Sequence, residues 1–248
     1  MVNRGRSFSG PGPDPWDGVL LVDKPSGFTS HDVVAKVRGH FRIKKVGHGG
    51  TLDPMATGLL ILLTGRGTRL SGQVMGADKT YEGVMRLGAT TDTQDADGQV
   101  LEVRPAENVT TENIKAEMLK RIGDQMQTPP MVSAIKKNGV PLYKLARKGE
   151  VVEREPRFIH VYQFTLDERN GPDVRFTLRC TKGTYVRTLC ADIGEALGCG
   201  AHLSALRRTA SGSFSIAEAL PLRDLLLLSP DDVLQRIIPM HRLAPGQG

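Results

Sequence analysis

A chain of 248 residues is long enough for one large domain or two small ones with a sizeable core. With 39% hydrophobic and 24% charged residues it has ordinary globular usage, and a net charge of +6 admits a polyanionic partner without selecting one. The longest aliphatic runs, Leu59–Leu63 and Leu225–Leu228, fall far below the ~18 residues of a membrane span, and no apolar stretch follows Arg4 and Arg6 that could act as a secretory leader. The spacing of Cys180, Cys190 and Cys199 fits neither a zinc knuckle nor a disulfide framework, so they read as buried thiols in a reducing cytosol.

Residues 1–17, rich in Gly, Pro and Ser, read as a disordered tail. Gly18–Asp23 reads as a buried strand ended by Lys24-Pro25-Ser26-Gly27, which is turn chemistry. A helix follows, capped by Thr29 or Ser30, with Val33, Val34, Val37 and Phe41 at helical spacing. Its end runs through Arg38, His40, Arg42, Lys44 and Lys45 into the glycine-rich segment 46–54, where close backbone approach is expected. Leu59–Leu63 and Thr80–Leu87 read as strands. Glu112–Ile122 reads as an amphipathic helix with Ile114, Met118, Leu119 and Ile122 inward and Gly123 as its stop. Leu142–Lys148 reads as a short helix between Pro141 and Gly149.

Arg157–Leu166 and Val174–Cys180 form a hairpin around Asn170-Gly171, the second arm alternating as a half-buried strand does. Tyr185–Leu197 reads as a helix stopped by Gly198, and Ser229-Pro230-Asp231-Asp232 caps a last helix reaching about Ile238. Strands and helices intermix without regular alternation, which favours α+β.

Several kinds of chemistry are argued against. Gly65-Arg66-Gly67-Thr68-Arg69-Leu70 has Leu70 where a dinucleotide fingerprint needs a third glycine, and Lys79-Thr80 lacks the upstream spacing of a phosphate loop. Asp95-Ala96-Asp97-Gly98 begins like a calcium loop, but Thr93 and Arg104 stand at its first and last ligand positions. The six histidines make no metal pair. The residues therefore predict no metal and no cofactor.

What remains is a lone carboxylate, Asp53, in a glycine loop that follows a basic cluster. The segment Gly47-His48-Gly49-Gly50-Thr51-Leu52-Asp53-Pro54-Met55-Ala56-Thr57-Gly58 closely resembles the catalytic loop of bacterial tRNA pseudouridine-55 synthases, the TruB family. The segments 18–25, 86–98, 182–188 and 198–208 agree with that family in the expected order, over roughly residues 18–220.

The resemblance implies the pseudouridine synthase fold: α+β, a mixed, largely antiparallel sheet with flanking helices and a central catalytic cleft. It implies a cytoplasmic enzyme that isomerises uridine 55 in the T-arm loop of tRNA, with no cofactor. It assigns Asp53 as nucleophile, at either the ribose C1′ or the uracil C6, which fits the covalent assistance a carboxylate can give. Arg187 is to pair with it, lowering its pKa and keeping it ionised. Tyr81 is to stack on the extruded base and assist proton removal at C5. Tyr185 and Leu206 are to line the uracil pocket, and His48 is to wedge into the RNA loop. Lys24, in the first matching segment, is read as either structural or RNA-facing.

Gly49 stands where the family usually has Thr. Residues 18–220 are expected to form the catalytic domain and 221–248 a short helical extension, without the full PUA-type RNA-binding domain of longer relatives. RNA affinity is then expected from the basic 36–45 region and from a thumb-like loop over Lys136–Arg157, in a monomer needing no protein partner. The rival reading is a non-catalytic tRNA-binding or folding factor on the same scaffold.

Overall fold

A computed structural model describes residues 14–133, 136–137, 139–141, 150 and 152–243. The expected helix over 142–148, with it the middle of the expected thumb, and the tail up to residue 13 lie outside the described residues. Residues 14–17 do not continue a tail. Asp17 accepts a hydrogen bond from the Arg66 backbone at 2.6 Å, and Trp16 lies 6.0 Å from the Phe41 ring.

The chain opens with β1 (Gly18–Lys24) and α1 (Ser30–His40). Thr29 closes the helix in a capping box. Its hydroxyl accepts from the Asp32 N–H at 3.1 Å, and the Asp32 carboxylate accepts from the Thr29 N–H at 2.8 Å. Then come β2 (Val46–His48), β3 (Thr57–Thr64), α2 (Ser71–Gly76), β4 (Lys79–Leu87), β5 (Ala89–Thr91), β6 (Val100–Val103) and α3 (Thr111–Lys120). The second half holds β7 (Gly123–Gln127), β8 (Lys136–Lys137), β9 (Val140–Pro141), β10 (Arg157–Asn170), β11 (Asp173–Cys180), α4 (Val186–Ala196) and β12 (Ala201–Ser211). It closes with β13 (Phe214–Ser215), β14 (Leu220–Pro221), α5 (Leu222–Leu225), α6 (Pro230–Leu234) and β15 (Ile238–Pro239).

One large sheet runs β14-β1-β3-β12-β4-β11-β10-β7, with β2, β13 and β15 attached at its sides. Its ladders are antiparallel except β1–β14 and β3–β12, so the α+β class and the mixed, largely antiparallel sheet hold. Leu20, Val22, Leu60, Leu62, Tyr81, Met85, Phe176 and Leu178 face one side, where α1, α3 and α4 pack. Val19, Leu21, Leu59, Ile61 and Leu63 face the other, against Val74 of α2. The run Leu59–Leu63 reads as unbroken apolar sequence because both its faces are covered.

Three expectations are corrected. In α3, Ile114 and Met118 are buried, but Leu119 is 68% exposed, because the helix is covered along a stripe narrower than its apolar face; the helix stops at Lys120, short of Ile122, which is 40% exposed. The last helix stops at Leu234, since Ile238 pairs with Val19 of β1. Among the strands that were unforeseen are the edge strand β7 and the central β12. In β12 bulges between Leu203 and Ala205 and between Arg208 and Ala210 break the alternation that marks a strand. All three cysteines are free and buried. Among the described residues no helix is long and apolar enough to cross a membrane.

Candidate active site

The site lies on the face of the sheet covered by α1, α3 and α4. Asp53 sits in the loop from β2 to β3, a segment that can turn sharply because Gly50 and Gly58 take φ of +140° and +98°. A Cβ on Gly58 would stand 2.4 Å from the Arg208 carbonyl, so β3 approaches β12 as only glycine allows. Gly49 is buried and donates to Ile61 at 2.8 Å. A Cβ there would meet a Val74 methyl at 2.3 Å, so α2 fills the space a larger residue would need.

The side chain of Asp53 is 37% exposed, and its Oδ2 lies 3.5 Å from Nε of Arg187. Arg187 stands in the first turn of α4, where a cation opposes the helix dipole, yet it is 3% exposed. Both of its Nη nitrogens donate. Nη1 donates to the Thr93 carbonyl at 3.2 Å and to Asp95 Oδ2 at 3.4 Å, and Nη2 donates to the Val132 carbonyl. Nε alone has no hydrogen bond of good geometry, so the edge facing Asp53 is the guanidinium's unspent side.

Burial pushes the Asp53 carboxyl above the usual aspartate range, and Arg187 pulls against that push without reversing it. The expected net lowering is therefore corrected in sign: the desolvation of a carboxylate in a protein wall outweighs one cation at 3.5 Å.

Tyr81 projects from β4 on the same face, 8% exposed, and burial pushes its hydroxyl up to about 12. It is a phenol at neutral pH, which argues against the expected standing base for C5. Leu206 lies on β12, and Tyr185 caps α4. The Gln127 amide clamps the Tyr185 backbone, accepting from its N–H at 2.8 Å and donating to its carbonyl at 3.1 Å. The Tyr185 ring then lies 5.8 Å from the Arg187 guanidinium carbon. Arg187, Tyr81 and Tyr185 thus all lie within electrostatic reach of Asp53, and Leu206 is buried on β12 opposite Gly83 of β4.

His48 and Lys24 differ from their expected settings. His48 belongs to strand β2, opposite Leu62, and its ring meets His31 edge-on at 5.0 Å. Burial, helped by His31 and Arg208, lowers it to about 4, so it meets any ligand as a neutral ring. Lys24 is fully buried, its Nζ donating to the carbonyls of Pro25, Phe28 and Pro54 at 2.9, 2.6 and 3.2 Å. That geometry favours the structural reading over the RNA-facing one, because every donor is spent on backbone carbonyls, one of them, Pro54, beside Asp53. The basic residues Lys36, Arg38, His40, Arg42, Lys44 and Lys45 are all exposed. A groove of about 600 Å³ between Phe28, Lys36, Arg207 and Leu222 lies apart from Asp53.

Three residues of the site went unrecognised in the sequence. Asp95, in the rejected calcium-loop pattern, is 4% exposed and holds Arg187 from behind. Gln127 and Arg208 are buried polar residues in strands whose pattern gave no inward face. For Asp95 a signal existed, its place in a segment that matches the family; for Gln127 none did.

Residues 38–186 match the family model described as TruB family pseudouridylate synthase (N terminal domain), and residues 187–243 match the tRNA pseudouridylate synthase B C-terminal domain. A protein named tRNA pseudouridine synthase B from Opitutus terrae is 56% identical over 93% of this chain and 95% of its own length. One of the same name from Syntrophotalea carbinolica is 47% identical over 87% of this chain and 71% of its own. Among solved structures, a chain of a Cbf5-Nop10-Gar1 complex superposes with a TM-score of 0.72 at 32% identity. That match covers 92% of this chain but only 61% of the other, so the chain spans about three fifths of that structural relative.

Proposed function

This chain belongs to the TruB family of pseudouridylate synthases, and on that premise we propose that it isomerises uridine 55 in the T-arm loop of tRNA, with Asp53 as nucleophile. The reaction breaks the N-glycosidic bond, turns the base and joins C5 to the ribose. It needs the target uridine outside its stack, and then a nucleophile that attacks without an external reductant or energy source.

One observation carries the assignment of Asp53: a part-exposed carboxylate faces the unspent Nε of a buried arginine. The guanidinium opposes the desolvation that would neutralise the nucleophile and holds it in one orientation, while the carboxylate's outer face stays open to a base. Tyr81, Tyr185 and Leu206 supply the walls against which uracil stacks; base–aromatic stacking contributes about 1–3 kcal/mol. His48, neutral, acts as a wedge in the RNA loop rather than as a phosphate contact. The exposed cations of 36–45 and the segment 136–157 attract the RNA backbone, and the enzyme works as a cytoplasmic monomer.

The test is tritium release from C5-labelled tRNA. Wild type releases label in step with pseudouridine formation, and Asp53→Asn binds the same tRNA without release. If both bind and neither releases label, the protein is a tRNA-binding or folding factor instead.

A further inference from the structure

Strand β12 carries two consecutive arginines on opposite faces of the sheet. Arg207 turns outward to Asp23, with contacts of 3.0 and 2.6 Å. Arg208 turns inward and is 2% exposed. Its Nε donates to the Leu59 carbonyl at 2.7 Å, Nη2 to Gly50 at 3.1 Å and Nη1 to Thr51 at 3.3 Å. Gly50 and Thr51 lead into Asp53, so the guanidinium grips the backbone of the nucleophile's own turn. Among the described residues no carboxylate lies within ion-pair distance of it.

A buried guanidinium is always charged and can only donate. Its cross-strand partner in the β12–β4 ladder is Tyr81, whose hydroxyl feels its charge. Toward such a neighbour the Tyr81 oxygen can act only as an acceptor, which leaves the phenolic O–H to donate elsewhere.

We propose that Arg208 is a positioning residue for uridine isomerisation, fixing the Gly50–Thr51 turn beside Asp53 and orienting Tyr81 as a hydrogen-bond donor to the extruded uracil. The inference rests on the reading of the cleft as a uridine-isomerising site. Whether the glycosidic bond breaks or C6 is attacked, electron density moves onto the uracil carbonyl oxygens. A donor there, backed by an uncompensated cation in a dry wall, stabilises that charge as it forms. No proton leaves the phenol in this contact. The high pKa of Tyr81 agrees with a donor, and the lowering of His48 and Lys24, caused first by burial and in part by Arg208, shows how far its charge reaches.

Four variants test it: Arg208→Gln, Arg208→Lys, Tyr81→Phe and the double Arg208→Gln/Tyr81→Phe. Each is assayed for single-turnover tritium release, tRNA affinity and melting temperature. Arg208→Gln and Tyr81→Phe each slow release by roughly 100-fold, the loss expected for one preorganised donor, with tRNA affinity within about threefold. The double variant is no slower than the slower single, because the two act as one unit. Arg208→Lys, which keeps the charge, recovers at least about tenfold over Arg208→Gln. Losses that multiply in the double variant overturn the proposal. So does an Arg208→Gln enzyme that melts lower yet reacts within about threefold of wild type. If wild type itself releases no tritium, the reading beneath fails and this one with it; an active wild type beside an insensitive Arg208→Gln sinks only the present inference.

Discussion

The molecule contains two arginine–aspartate pairs that look alike on paper and are built in opposite ways. Arg207 and Asp23 meet in a two-pronged contact at 3.0 and 2.6 Å, with the arginine 40% exposed. Arg187 and Asp53 stand 3.5 Å apart without a well-formed hydrogen bond, and the arginine side chain is 4% exposed. The first pair spends its charges on each other, joining β12 to β1. In the second, Arg187 is held from behind by Asp95, Thr93 and Val132, so the nucleophile is attended but not consumed. A looser ion pair is thus the more costly one to assemble, and it leaves a carboxylate with an oxygen to offer.

The comparison breaks first at Asp53. Asp53→Asn lowers single-turnover pseudouridine formation by at least about 10³-fold, since an amide is no nucleophile, while Asp23→Asn leaves the rate within about threefold. Next come the cations. Arg187→Gln reduces kcat/KM by roughly 10²–10³-fold, whereas Arg207→Gln costs about 1 kcal/mol of stability in urea melts and little activity. Equal activity losses in these two variants would erase the distinction.

The pH dependence sharpens it further. Asp53 must be ionised to attack, and burial raises its pKa, so activity falls with acid at a pH above the usual aspartate range. In Arg187→Gln the opposing pull is gone, and the acid limb of the residual kcat/KM profile moves higher still. The smallest effect is on stability, with opposite signs at the two aspartates. A carboxyl whose folded pKa is raised binds protons more readily folded than unfolded. Its ionised form therefore weakens the fold at neutral pH, and that cost vanishes as pH falls through the unfolded value. Asp53→Asn should raise the melting temperature by about 2 °C, the usual sign for a functional group held against its preference. Asp23→Asn, which leaves Arg207 without its partner, should lower it.

Much of the site was readable in the linear chain because the catalytic loop is local. Gly47 through Gly58 bring the nucleophile, its turn and the start of β3 together in twelve consecutive residues. The capped helix α1, the aliphatic β3 and the β10–β11 hairpin also announce themselves through short-range caps, runs and turns. What escaped was polar and central. In β12, Arg208 occupies an inward position that polarity patterning assigns to solvent, and two bulges hide the period. In β7 the exposed Met126 and the buried Gln127 invert the usual code. A motif set aside as a failed calcium loop turned out to hold, in its first residue, Asp95, the carboxylate behind Arg187.

The amino-acid order by itself determined which residue is proposed to attack, which family the chain resembles and which class of fold carries it, because those depend on side-chain chemistry and local spacing. The tertiary structure alone decided how charged each group is and which groups share a wall. Burial reverses the expected shift of Asp53, silences His48 and commits Lys24 to the backbone. Desolvation and cross-strand neighbours are set by distant segments meeting, and no short stretch of sequence contains them.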